Sequence, residues 1–248
     1  MLSHQDKCLF VHIPKAAGQS VESIFVQRSG LTWQTRDALL LRPNKEPEQG
    51  PPRLAHLTAS EYTRLGYMSE DQFSQYFKFS FVRNPWARLV SEYNYRRMQG
   101  VTTYQKEFKH FLFESFPQEN DDNYLTSQDF YRHVIPQWKF LYDEDDNCLV
   151  DYVGKFEFLQ QDFDKVCQLL GVPQYMLPHK NMTQVSRKGL VGFQDKVIKR
   201  IARAFSVKSR SNLVKAHYSQ YYDNESQAFV ADKYRKDIEL FNYQFDSI

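Results

Sequence analysis

The chain has 248 residues, 42% of them hydrophobic and 25% charged, which is the composition of a globular protein and excludes a fibrous or low-complexity one. Its net charge of +2 excludes a generally basic nucleic-acid binder, and no stretch reaches the roughly 18 apolar residues of a membrane span. A chain of this length suits one domain spanning 1–248, which would bury roughly 70–75% of its unfolded surface without a disulfide or metal staple.

The first residues, Met1 to Lys7, lead directly into an apolar run and lack the core of a signal peptide, so the expected location is the cytoplasm. Cys8 to Ile13 reads as a buried strand stopped by Pro14, with an amphipathic helix from Ser20 to Gln27 after it. Residues 42–53, rich in proline and charge, read as an exposed loop. Phe77 to Val82 is a second strand, after which Asn84 as N-cap and Pro85 at the first helical position open a helix through Trp86, Leu89, Val90 and Tyr93. Residues 99–105 read as a loop, and a helix spanning Tyr131 to Tyr142 is bent or restarted at Pro136. Cys148 to Val153 is a third strand, leading to a helix with Phe163, Val166, Leu169 and Leu170 on one face and Gly171 after it. From Arg187 to Lys215 nine Lys or Arg stand against one acid, Asp195, and a last helix runs from Glu225 to Asn242. Strands alternating with helices predict an α/β fold with a parallel central sheet covered on both faces. The cysteines (Cys8, Cys148 and Cys167) are odd in number and widely spaced, which predicts reduced thiols and no metal site.

Two stretches carry chemistry. In the first, Lys15-Ala16-Ala17-Gly18-Gln19-Ser20, small residues join a strand to a helix. Such a turn aims backbone amides and a helix N-terminus at an anion, with Lys15 as a point charge and Gln19 and Ser20 as added donors. It is not a Walker A loop, because no Gly-Lys-Ser/Thr closes it. In the second, Arg83 sits at the C-terminal end of a strand, the edge where open α/β sheets bind ligands, and Ser91 lies about two turns into the next helix. Arg83 suits a forked pair with a phosphate, and Ser91 adds a hydroxyl. Arg88, three residues before Ser91, reads as solvent-facing.

Together these stretches resemble the two nucleotide motifs of sulfotransferases that use 3′-phosphoadenosine 5′-phosphosulfate (PAPS). His12 to Ser20 resembles the 5′-phosphosulfate loop, with Ala16 and Gln19 where threonine is frequent. Arg83-Asn84-Pro85 through Ser91 resembles the 3′-phosphate motif. Ala55-His56-Leu57-Thr58-Ala59-Ser60-Glu61-Tyr62 is similar to the histidine segment of the carbohydrate branch related to heparan and dermatan 2-O-sulfotransferases. Val153-Gly154-Lys155-Phe156-Glu157 is similar to a later strand and turn of that branch, and Val185-Ser186-Arg187-Lys188-Gly189 to a late basic loop over the nucleotide. The resemblance implies a P-loop-like three-layer α/β/α fold, PAPS as co-substrate and 3′,5′-diphosphoadenosine as product. It also implies a carbohydrate or other hydroxyl acceptor, no metal, and His56 and Lys15 as catalytic residues.

Among the other histidines, His12 falls inside a strand and reads as packing, His133 is placed to touch an acceptor, and His110, His179 and His217 have no supporting neighbours. The competing function is a non-catalytic module that binds a nucleotide or an anionic polysaccharide through the 187–215 segment. A P-loop kinase ranks last, because Ala16 follows Lys15 where a magnesium-binding hydroxyl is needed. Peripheral contact of the basic segment with an anionic membrane stays open, and neither acceptor identity nor oligomeric state is legible.

Overall fold

The computed structural model describes residues 1–178 and 217–246. The basic segment with Arg187, Lys188 and Gly189 lies outside the described residues, as does His179. Among the described residues, four strands form one sheet in the order β1 (Leu2–Ser3), β2 (Cys8–Val11), β3 (Phe77–Val82) and β4 (Tyr152–Lys155). The helices are α1 (Gly18–Arg28), α2 (Ala59–Arg64), α3 (Glu70–Gln75), α4 (Pro85–Met98), α5 (Phe108–Glu114), α6 (Trp138–Leu141), α7 (Leu159–Leu170), α8 (Asn224–Lys233) and α9 (Arg235–Leu240).

The pairs β2–β3 and β3–β4 are parallel, whereas β1 runs antiparallel to β2. The sheet expected as parallel therefore has an antiparallel edge strand: Lys7, at φ 46°, turns the chain so that Leu2 pairs with Leu9. The strand alternation divides the core between two faces. Phe10, Phe79 and Phe81 pack with Ile24 and Phe25 of α1 and with Phe163 and Val166 of α7. Leu9, Val11 and Val82 pack with Leu54, Leu57 and Tyr62 and with Phe140 and Leu141 of α6. This is the three-layer α/β/α arrangement. Gly154 belongs in β4 because a Cβ there would come within 2.6 Å of the Phe81 ring. A third cluster joins Trp86, Leu89, Val90 and Tyr93 of α4 to Phe108, Phe111 and Leu112 of α5 and to Val230 of α8.

The local signals around α4 and α7 hold. Asn84 Oδ1 accepts from the amides of Trp86 and Ala87 at 3.1 and 3.2 Å, and Pro85 occupies the first helical position. Gly171, at φ 65°, ends α7. Three expectations change. The third strand begins at Tyr152 and not at Cys148, because the Leu149 amide is taken by Leu141 O at 2.7 Å and holds that stretch against the end of α6. Of the 131–142 helix only Trp138–Leu141 forms, because two buried or half-buried carboxylates cap separate turns. Asp122 takes the amides of Tyr131 and Arg132, and Asp237 takes those of Gln137 and Trp138. The last helix breaks at Tyr234, whose hydroxyl donates to Val134 O at 2.5 Å.

Candidate active site

Between β2 and α1 the chain turns through two left-handed residues, Lys15 at φ 69° and Ala17 at φ 68°. Ala16 is buried, and its amide goes back to Ile13 O at 3.3 Å. The turn leaves Gly18 and Gln19 at the N-terminus of α1, where a helix has no intrahelical partners for its first amides. These amides and the helix dipole favour an anion. Lys15 Nζ lies 4.0 Å above the ring of Tyr95. Burial, opposed by Glu92 and aided by Arg83, Arg96 and Arg53, lowers its pKa to about 8, so at neutral pH the ammonium is charged but weakly solvated.

Arg83 joins the two motifs directly: its Nη1 donates to Lys15 O at 3.2 Å, and its guanidinium lies 4.2 Å from the centre of the Phe156 ring. Burial, partly offset by Glu157, lowers its pKa to about 10, so it remains a cation. Its Nε is buried with no hydrogen-bond partner among the described residues, a donor that an incoming phosphate oxygen would satisfy. Its backbone is fixed by Gln137, whose amide side chain accepts from Arg83 N and donates to Arg83 O, both at 2.8 Å.

Helix α4 is buried on two sides. Trp86, Leu89, Val90 and Tyr93 face the third cluster, whereas Arg88, Ser91, Glu92, Tyr95 and Arg96 recur at helical spacing on the other side. Arg88 does not face water. Its Nε donates to Pro14 O at 3.1 Å, Nη1 to Ile135 O at 2.9 Å and Nη2 to His133 O at 3.0 Å, tying the loop to the 133–135 turn. Helix periodicity could not show this, because all three acceptors are remote in sequence. The available signal was a polar stripe opposite an apolar one.

His56 is buried at the end of a 3₁₀ turn, Leu54–His56, between two other histidines. Its ring centroid lies 4.6 Å from that of His12 and 5.0 Å from that of His133, both edge-on. Its Nδ1 is 3.3 Å from His12 O. A carbonyl only accepts, so Nδ1 carries the hydrogen and Nε2 is the basic nitrogen. Burial first, then His12 and His133, hold its pKa well below the ordinary histidine value.

Each flanking histidine has its own carboxylate. His12 Nδ1 is 2.5 Å from Glu22 Oε1, and His133 Nδ1 is 3.1 Å from Glu92 Oε2. Burial would raise the Glu22 carboxyl, but His12 overcomes this and holds it below the carboxylate range. His133 also belongs to a closed ring of charges. Glu92 Oε1 meets Arg96 Nε at 2.6 Å, Arg96 Nη2 meets Asp129 Oδ1 at 2.9 Å, and Asp129 Oδ2 faces His133 Nε2 at 3.4 Å in an electrostatic contact without hydrogen-bond geometry. Burial would lower the His133 pKa, but Glu92 and Asp129 outweigh it and raise it.

The structure thus gathers Lys15, Ala16, Ala17, Gly18, Gln19, Arg83 and His56 in one region, with Ser91 half-buried on the polar side of α4. Ser20 gives its single hydroxyl proton to Pro178 O at 2.9 Å, so it is no free anion donor in this arrangement. Gly18 has a packing role as well, since a Cβ on it would fall 1.9–2.2 Å from atoms of the His12 ring. His12 reads correctly as packed and satisfied, whereas His133 is buried away from solvent. Glu61, in the same segment as His56, is held by both guanidinium nitrogens of Arg132 at 2.9 and 2.8 Å.

A family model described as "Sulfotransferase family" matches residues 1–244. Carbohydrate sulfotransferase 14 of Danio rerio is 23% identical over 202 residues, which cover 71% of this chain and 49% of that protein. Carbohydrate sulfotransferase 11 of Mus musculus is 23% identical over 202 residues, covering 71% of this chain and 54% of that protein. An uncharacterized protein of Archaeoglobus fulgidus is 30% identical over 103 residues, covering 41% of this chain and 73% of its own length. No solved structure matches. The chain spans about half the length of the curated carbohydrate sulfotransferases it matches.

Proposed function

The chain belongs to the sulfotransferase family, and from that membership we propose that it transfers a sulfuryl group from PAPS to a hydroxyl of a carbohydrate acceptor. The observation that carries this reading is the junction of Arg83 with the Lys15 carbonyl at 3.2 Å. A buried guanidinium next to the anion-favouring turn supports assigning Arg83 to the 3′-phosphate and the turn to the 5′-phosphosulfate. The relatives named as carbohydrate sulfotransferases support the acceptor class.

In the proposed reaction the amides of Gly18 and Gln19 and the Lys15 ammonium bind the phosphosulfate end, and Arg83 with Ser91 binds the 3′-phosphate. His56 Nε2 accepts the proton of the acceptor hydroxyl as that oxygen attacks sulfur in line. A new S–O bond to the sugar forms as the bond from sulfur to the bridging phosphate oxygen breaks. The electron pair departs with 3′,5′-diphosphoadenosine, and Lys15 stabilises the growing charge.

The test is transfer of labelled sulfate from PAPS to a panel of glycans, read by mass spectrometry. A positioned base contributes about 10²–10⁴ in rate, so His56→Ala should lose turnover on that scale and keep its affinity for 3′,5′-diphosphoadenosine. Nucleotide or glycan binding without transfer to any acceptor would favour a non-catalytic module. An active His56→Ala enzyme with an unchanged pH profile would remove His56 as base.

A further inference from the structure

We propose that His133 is a positioning residue for His56: gripped by Glu92 and faced by Asp129, it packs edge-on against the His56 ring and presents a fixed imidazolium that keeps His56 unprotonated. The inference rests on the reading of His56 as base, and it concerns a residue that does not itself touch the acceptor.

Geometry carries the argument. His133 is 3% exposed, so its ring is enclosed by protein. One nitrogen donates to Glu92 at 3.1 Å and the other faces Asp129 at 3.4 Å. Both partners are carboxylates: Nδ1 gives its hydrogen to Glu92, and a bare lone pair on Nε2 would face the negative Asp129 oxygen 3.4 Å away, so the surroundings favour a hydrogen on both nitrogens, which is the cation. Arg96 bridges the same two carboxylates, so two acids are balanced by Arg96 and one imidazolium. The charged groups around this array come from four parts of the chain: Lys15 in the loop, Arg53 and His56 around the 3₁₀ turn, Arg88, Glu92 and Arg96 on α4, and Asp129 with His133 in the 129–135 turns. On its opposite side His56 meets His12, itself bonded to Glu22 of α1.

A cation held 5.0 Å from the His56 ring opposes a second positive charge there. The same neighbour fixes the ring, because a rotation of His56 would strike His133 on one side or His12 on the other. The consequence is a base that stays available below the pH at which an ordinary histidine is protonated.

The experiment is ¹⁵N NMR titration of the histidine rings in the full chain, alone and with 3′,5′-diphosphoadenosine bound, beside pH profiles of sulfate transfer. Wild-type protein should show His133 protonated on both nitrogens at a pH where His56 is neutral. His133→Asn keeps a donor for Glu92 without the charge, and His133→Phe keeps the ring edge without it. In both, the His56 midpoint should move up toward the ordinary histidine value. Each pH unit of that move lowers kcat/KM about 10-fold on the acid side, with little change above pH 8. Lower thermal stability with an unmoved His56 midpoint would reduce His133 to a purely structural residue and overturn the proposal. Finding His133 neutral in the wild type would also overturn it, and that measurement needs no variant to fold. A shifted His56 midpoint in a chain whose His56→Ala variant remains fully active would uphold the coupling and defeat the base assignment instead.

Discussion

Gly18→Ala gives the sharpest test of how the loop and the histidines fit together. In an open helix the change favours folding by up to about 1 kcal/mol. Here the new Cβ would lie 1.9–2.2 Å from Nε2, Cδ2 and Cε1 of His12, inside the contact distance of any carbon, and those atoms belong to a rigid ring. Overpacking of this kind costs about 1–3 kcal/mol. If the ring is expelled it loses Glu22, and an unpaired buried carboxylate costs about 3–5 kcal/mol. An overlap this deep expels the ring, so after the helix-propensity gain a net loss of about 2–4 kcal/mol is expected. For a chain of this size that is roughly 5–15 °C in Tm. Denaturant unfolding of Gly18→Ala, His12→Ala and the double variant gives the coupling directly. His12→Ala should itself be destabilising, but adding Gly18→Ala to it should cost nothing further. An equal penalty in both backgrounds, or a Gly18→Ala protein as stable as wild type, would refute the steric reasoning.

Arg83→Ala should lose about 30- to several-thousand-fold in affinity for 3′,5′-diphosphoadenosine, the span of about 2–5 kcal/mol for a truncated buried charge pair. Affinity for 5′-AMP should change far less, and calorimetry on both nucleotides checks the difference. Lys15→Ala should lower kcat more than it weakens product-nucleotide binding; equal losses would mean that Lys15 binds without favouring the transition state. Burial would raise the Glu92 carboxyl, yet His133 and Arg96 hold it at about 2, below its ordinary 4.5. Its contribution to stability is therefore complete above about pH 4.5 and lost as pH falls toward 2. Glu92→Gln should flatten that acid limb in urea unfolding measured across pH, and an unchanged limb would contradict the ring. His133 has the opposite sign: its pKa is raised from 6.5, so its contribution is complete below pH 6.5 and lost as pH rises through the folded value.

The parts of the fold that local chemistry determines were legible in the sequence. Asn84-Pro85 marked the start of α4, Gly171 the end of α7, and the apolar runs at 8–13 and 77–82 the two central strands. What stayed hidden depends on partners distant in the chain. β1 is too short to carry a period, and its pairing depends on a left-handed Lys7. Asp122 and Asp237 break the 131–142 stretch into turns from 9 and 100 residues away. The site divides in the same way. Lys15, His56 and Arg83 stand in stretches with a motif, whereas Arg88, Glu92 and Asp129 look like ordinary helix or turn residues until His133 comes between them. Nothing local reveals that the Ser20 hydroxyl proton goes to Pro178.

The parallel pairing that builds the sheet also has a kinetic consequence. β2 meets β3 at Cys8 and Phe77, and β3 meets β4 at Phe79 and Tyr152, so each contact must close a long stretch of chain before it is rewarded. Such topologies fold slowly. Lys15 follows β2 and Arg83 follows β3, so it is the β2–β3 closure that brings these two together. A nucleotide bound at the proposed site, at 100 times its Kd, would deepen the native well by about 2.7 kcal/mol. It would slow unfolding and leave the folding rate almost unchanged.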